Sequence, residues 1–162
     1  MTRPDLLRQR GVASIGFSLI AIALVVVLLG GMVYWRAFQT QQLLTRAAGD
    51  GARAAHTLIS SGIAPCHSTL ATQATNRGMI AERVRQAVLH SLEQSAMPGD
   101  LSQQLAIAPP QWGPCPAGGE SNATFELTYT LTPLLGGSCP NSWVAEPCQL
   151  HESSKLHFAS ML

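Results

Sequence analysis

No Asp, Glu, Lys or Arg occurs from Gly11 to Trp35, and this charge-free run is framed by Arg8-Gln-Arg-Gly11 before it and Arg36 after it. An apolar helix needs roughly 20 residues to cross the hydrocarbon of a bilayer. The stretch through Ile20-Ala-Ile-Ala-Leu-Val-Val-Val-Leu-Leu29 has that length with room for tilt. A secretory signal peptide also opens on basic residues, but its apolar core runs only about 7–15 residues and ends at a small-residue cleavage site. This run is longer and ends in Tyr34-Trp35-Arg36, an aromatic and basic interface anchor. The expectation is a retained membrane-spanning helix.

Charge does not orient it, because Arg3, Arg8 and Arg10 before the span are matched by Arg36, Arg46 and Arg53 after it. The cysteines do. Cys66, Cys115, Cys139 and Cys148 all follow the span, and four thiols scattered through a small polar domain suit two disulfides in an oxidising compartment. A cytoplasmic N-terminus and an exported C-terminal domain follow. Of three possible pairings, Cys139 with Cys148 is preferred, since the chain between them passes Pro-Asn and Glu-Pro bends, which leaves Cys66 with Cys115. Zinc is the weaker use of Cys66-His67 and Cys148-x-x-His151, because no Cys-x-x-Cys pair exists. No metal and no cofactor are expected.

The residues beyond the span suffice for one domain. Charged residues make up 12% of the chain, against about a quarter in an average soluble domain, and the formal net charge is +1. That balance gives no electrostatic footprint for nucleic acid. The enzyme reading has little support either. There is no Gly-x-Ser-x-Gly, no Gly-x-x-x-x-Gly-Lys, no His-Glu-x-x-His and no apolar-set carboxylate pair. Asn122-Ala-Thr124 matches a glycosylation acceptor only as a short chance pattern.

Beyond Arg36 the helical pattern persists. Leu44, Ala47, Ala48, Gly51, Ala52, Ala55, Leu58 and Ile59 recur at offsets of three and four. Arg46, Asp50 and Arg53 lie on the other side, placed for Arg46–Asp50 and Asp50–Arg53 contacts. Ala47, Gly51 and Ala55 form a small-residue seam that lets another backbone approach closely, either the protein's own domain or a neighbouring helix. Ser60-Ser61-Gly62 stops the helix, with Pro65 beyond it. If continuous over residues 12–60, it reaches about 70 Å as a stalk. A second helix is expected over residues 76–96, ended by Pro98-Gly99. Short strands are expected at residues 104–108 and 155–160. The clearest strand covers residues 123–132, where Phe125, Leu127, Tyr129 and Leu131 alternate with polar neighbours. The fold class is α+β, a small antiparallel-sheet head on a helical stalk.

Arg8-Gln-Arg-Gly11 followed by Val12-Ala-Ser-Ile-Gly-Phe17 and the apolar run resembles the class III processing site of type IV pilin-like proteins. Together with Gln41 to Ala55, which carries Ala-Ala-x-x-Gly-Ala-Arg at Ala47 to Arg53, it is similar to the TadE/TadF family of minor pseudopilins of tight-adherence (Flp-type) pili. The resemblance covers residues 8–56. It implies a basic leader (residues 1–11) cleaved after Gly11 by a prepilin peptidase, and methylation of the new Val12 amine. It also implies partners in the membrane, in the pilus assembly platform and in other pilin-like subunits packed through the N-terminal helix. A transmembrane helix (12–35), a helical stalk (36–62) and a periplasmic head (63–162) complete the division. The implied site is the bacterial inner membrane or an extracellular pilus serving cell adhesion, biofilm formation or secretion.

One departure stands out. Where the family usually has glutamate, this chain has Gly16. A carboxylate in hydrocarbon needs a partner, and in pilin-like assemblies that partner is the terminal amine of the adjoining subunit. Two roles then compete, a subunit at the filament tip or an adaptor that stays in the membrane. The alternative to the pseudopilin reading as a whole is an uncleaved bitopic protein whose exported domain binds a periplasmic partner.

Overall fold

The computed structural model describes residues 6–95, 97, 99–134 and 146–159. They form α1 (Leu6–Ser60), α2 (Leu70–Gln94), a one-turn α3 (Leu101–Gln104), and strands β1 (Leu105–Ile107), β2 (Gln111–Trp112), β3 (Glu120–Thr130) and β4 (Gln149–Ala159). The chain divides into two compact units, one up to Arg36 and one from Ala37 onward. In the first unit the described residues are all α1. The second, the α+β head, joins residues 37–62, expected as a stalk, with residues 63–162.

In the head, β3 is central and pairs antiparallel with β4 along its whole length, from Glu120↔Ala159 to Thr130↔Gln149. β1 and β2 follow one another along the opposite edge, opposite Leu127–Tyr129 and Ala123–Thr124 respectively. The break between them is Pro109-Pro110, two residues with no N–H to give to a ladder. Ala108 N–H, just before the prolines, donates to the Glu126 carbonyl at 3.0 Å, and pairing with β3 resumes at Gln111 just after them. The period-2 pattern of β3 sends Ala123, Phe125, Leu127 and Tyr129 inward and leaves Glu126 and Thr130 exposed.

Those inward residues join one core with Leu44, Ala47, Ala48 and Ala55 of α1 and with Ile80, Val84, Val88 and Leu92 of α2. The four α2 residues are spaced by four and all buried, a single ridge along one helix face. Buried Tyr129 donates its hydroxyl to Gln104 Oε1 at 2.6 Å, which removes the cost of enclosing a phenol.

α1 ends as the sequence leads one to expect. Gly62 takes φ +102°, its N–H donates to the Ile59 carbonyl (3.1 Å), and Ile63 N–H donates to the Leu58 carbonyl (3.2 Å). This is the Schellman arrangement, with Ile63 and Leu58 both packed on the core. Cys66 is bonded to Cys115, with Cα atoms 5.7 Å apart, fastening the loop after α1 to the segment between β2 and β3. The preferred Cys139–Cys148 pair lies outside the described residues, since Cys139 does.

Three expectations need correction. α2 starts at Leu70 and not near residue 76, because its first turns carry no apolar face; Leu70 itself is 81% exposed. β4 begins at Gln149, well before residue 155, since its first residues are held by pairing with β3 and not by apolar alternation. Asp50 bonds Arg53 at 3.3 Å, but its other oxygen accepts from Ser91 of α2 at 2.8 Å, and no Arg46–Asp50 ion pair occurs among the described residues.

Candidate functional site

The candidate surface is the apolar stretch of α1 that precedes Arg36. Its most apolar window has a mean hydropathy of 2.6 over 18 residues, and no residue of that window is buried. It belongs to a helix that is, by length and composition, able to cross a membrane. Ile15, Phe17, Leu19, Ile20, Ile22 and Leu24 are exposed, as are Val25, Val26, Val27, Leu28, Leu29 and Met32. These positions go all the way round the helix, a pattern found in helices with apolar surroundings on every side. Full burial of such a side chain is worth roughly 1.5–3 kcal/mol, and because these are already partly shielded by the helix itself, the stretch leaves on the order of 10–20 kcal/mol to be gained from lipid or another protein.

The Ser18 hydroxyl is satisfied within the helix, donating to the Ser14 carbonyl at 2.9 Å, so it does not require water at that level. A Cβ added at Gly16, Gly30 or Gly31 would meet nothing within 4 Å. Gly16 therefore sits on open helix surface between exposed Ile15 and Phe17. Tyr34 and Trp35 are also exposed, the side chains that favour a membrane–water boundary. The Gly11–Val12 bond lies within α1, whose helical backbone begins at Leu6.

The seam of Ala47, Gly51 and Ala55 is in the head, and there a close backbone approach is observed. A Cβ on Gly51 would lie 2.9 Å from Val88 Cγ2 and 3.2 Å from Val84 Cγ1. Of the two partners open to this seam, the described contact is with α2 of the same chain. Ala47 and Ala55 are fully buried beside it.

Of the cysteines, Cys66 is buried and Cys115 partly so. Sequence reasoning passed over Arg77, which organises that bridge. Its Nε donates to the Pro65 carbonyl (3.0 Å), its Nη2 to Cys115 Sγ (3.2 Å), and its guanidinium lies 5.3 Å from the Trp112 ring centroid. Trp112 in turn packs edge-on against Phe125 and Phe158. No sequence pattern singles out one arginine in an ordinary helix; only the fold brings these groups together. A second tie missed in sequence is Gln41, whose amide donates to Glu152 Oε2 (2.8 Å) and to the His151 carbonyl (3.2 Å), joining α1 to β4. No cluster of three or more His, Cys, Asp or Glu suited to a metal occurs among the described residues.

No curated protein and no solved structure matches the chain. Residues 11–53, which carry the apolar stretch and most of the seam, match the model of the TadE-like protein family.

Proposed function

We propose that the chain is a minor pseudopilin of a tight-adherence pilus, processed after Gly11 and contributing to filament initiation, tip or anchoring. The TadE-like match over residues 11–53 suggests involvement in a Tad pilus, and that family is in general not enzymatic. One observation carries the reading. Within the matched residues lies an 18-residue apolar window of α1 with no buried residue, which is what a subunit docking by its N-terminal helix must present.

In this account the leader stays on the cytoplasmic side and the disulfide-bonded head is periplasmic. A peptidase beside the membrane needs a small residue at its narrow cleft, and Gly11 supplies it. Removal of residues 1–11 takes away the cationic leader, leaves the span intact and exposes the Val12 amine for methylation. Gly16 has no carboxylate to pair with a preceding subunit's amine, so the subunit suits a tip or an adaptor role rather than the filament shaft.

Gly11→Leu is the direct test. The variant is expected to insert in the membrane and to keep its Met-Thr-Arg N-terminus, as read by mass spectrometry of the membrane fraction. Maturation at the wild-type mass would contradict processing after Gly11. One observation favours the alternative of an uncleaved bitopic protein: α1 is already helical on both sides of the Gly11–Val12 bond, so a peptidase would have to unwind it. An intact Met1 terminus in the wild-type protein, in cells assembling pili, would establish that alternative.

A further inference from the structure

We infer that the groove between α1 and the C-terminal half of α2 is a docking site for an acidic amphipathic helix of a partner protein. The groove encloses about 770 Å³ and is lined by Leu43, Arg46 and Ala54 on α1 and by Arg83, Ala87 and His90 on α2. All of it lies within the head. The inference stands on this groove alone and does not require processing after Gly11.

The walls run from Leu43 to Ala54 and from Arg83 to Ser95, about three helical turns each. A trough of that length, open along one side, fits a rod better than a compact solute. Ala54 and Ala87 keep the walls low, so a third helix can approach the pair at the short end of ordinary interaxial distances. Leu43 supplies apolar contact, and its side chain is only partly covered by the chain's own core.

Charge selects the partner. Asp50 faces the trough, but its oxygens are engaged by the Ser91 hydroxyl (2.8 Å) and Arg53 Nη1 (3.3 Å). Gln86 donates to Glu82, and His90 shares a 3.3 Å contact with Gln94. Among the described residues, neither Arg46 nor Arg83 has a hydrogen-bond or ion-pair partner. Two guanidiniums, one on each wall, are thus the groove's available charged donors, and a planar fork of N–H groups is matched best by a carboxylate. Exposed ion pairs add little affinity by themselves. They set orientation and exclude wrong partners, while apolar contact along the trough supplies the adhesion.

The test uses the full-length protein in detergent micelles and two fluorescein-labelled synthetic helices. Both have a Leu/Ala face, one flanked by Glu and its twin flanked by Lys. At low ionic strength the Glu helix is expected to bind about tenfold or more tightly than the Lys helix. The double variant Arg46→Glu/Arg83→Glu is expected to reverse that preference, an outcome that a merely misfolded variant cannot give. Equal binding of the two helices, or an undiminished Glu preference in the double variant, overturns the proposal. So does inorganic pyrophosphate binding as tightly as the Glu helix and losing its affinity in the same variant, since that reassigns the groove to small anions.

Discussion

The stretches of α1 before and after residue 36 use small residues in opposite ways. Gly16, Gly30 and Gly31 have open space where a side chain would go, and the large aliphatics around them are exposed. Gly51 has two valines of α2 against it, and Leu44, Ala47 and Ala55 nearby are fully buried. A pattern of glycine and alanine in an apolar helix permits a close approach but does not say by whom. In the head the approaching backbone is the chain's own. At the glycines of the first unit no such contact is described, and the 18-residue apolar window, none of it buried, is left for surroundings outside the chain. The TadE-like match spans both kinds of residue, so the matched segment combines a folding surface with an exposed one.

Leucine at position 51 and at position 30 tests this contrast most strongly. Gly51→Leu must displace Val84 and Val88, both β-branched and stiff, and is expected to destabilise the head by about 2–3 kcal/mol. Gly30→Leu removes a helix-weakening glycine and meets no neighbour, so head stability should stay as it is. Thermal unfolding of the full-length protein in detergent, followed by near-UV circular dichroism, reads both. Equal melting temperatures for wild type and Gly51→Leu would break the comparison.

Gly16→Glu asks the converse question, whether an open position in the first unit matters outside the fold. The head should melt as before, because nothing packs within 4 Å of that site. Cellular location should change instead, with the variant entering filament shafts once a carboxylate is available to pair with a neighbouring amine. Unchanged location and unchanged pilus number, scored by immunogold labelling, would remove the basis for a tip role.

Legibility in the sequence followed how local the physics was. The β3 alternation and the Gly62 stop were readable because each depends on a period or a backbone angle that a few residues specify alone. The apolar run of α1 was readable by length and absence of charge. β2 was not, since two residues have no period, and neither was the early half of β4, where Leu150, Glu152 and Ser154 are only half-buried. The seam's small residues were visible, but their α2 partner lies more than thirty positions away. Arg77 and the pair Arg46 and Arg83 were the least legible, because each acquires meaning only from groups that separate elements bring near it.

The weakest contrast between the two units is in their response to acid. From Ser14 to Trp35 there is no Asp, Glu or His to protonate. The head carries two carboxyls held below their ordinary range. Asp100, the N-cap of α3, is lowered first by the hydrogen bond from the Ser102 hydroxyl (2.7 Å) and then by that from the Ser102 N–H (2.9 Å). Glu82 is lowered chiefly by the hydrogen bond from Arg85, then by that from Gln86. A carboxyl whose pKa falls on folding contributes fully above its unfolded value, and that contribution drains away as pH drops through the folded value. The head should therefore lose stability only below the ordinary carboxylate range, while the helicity of the first unit holds. Because both groups are fully exposed, the effect is small, and it is best read as a slope of melting temperature against pH. In Asp100→Asn/Glu82→Gln that slope should flatten, since the asparagine still caps α3 but no longer titrates. An unchanged slope would mean that other carboxyls carry the head's acid response.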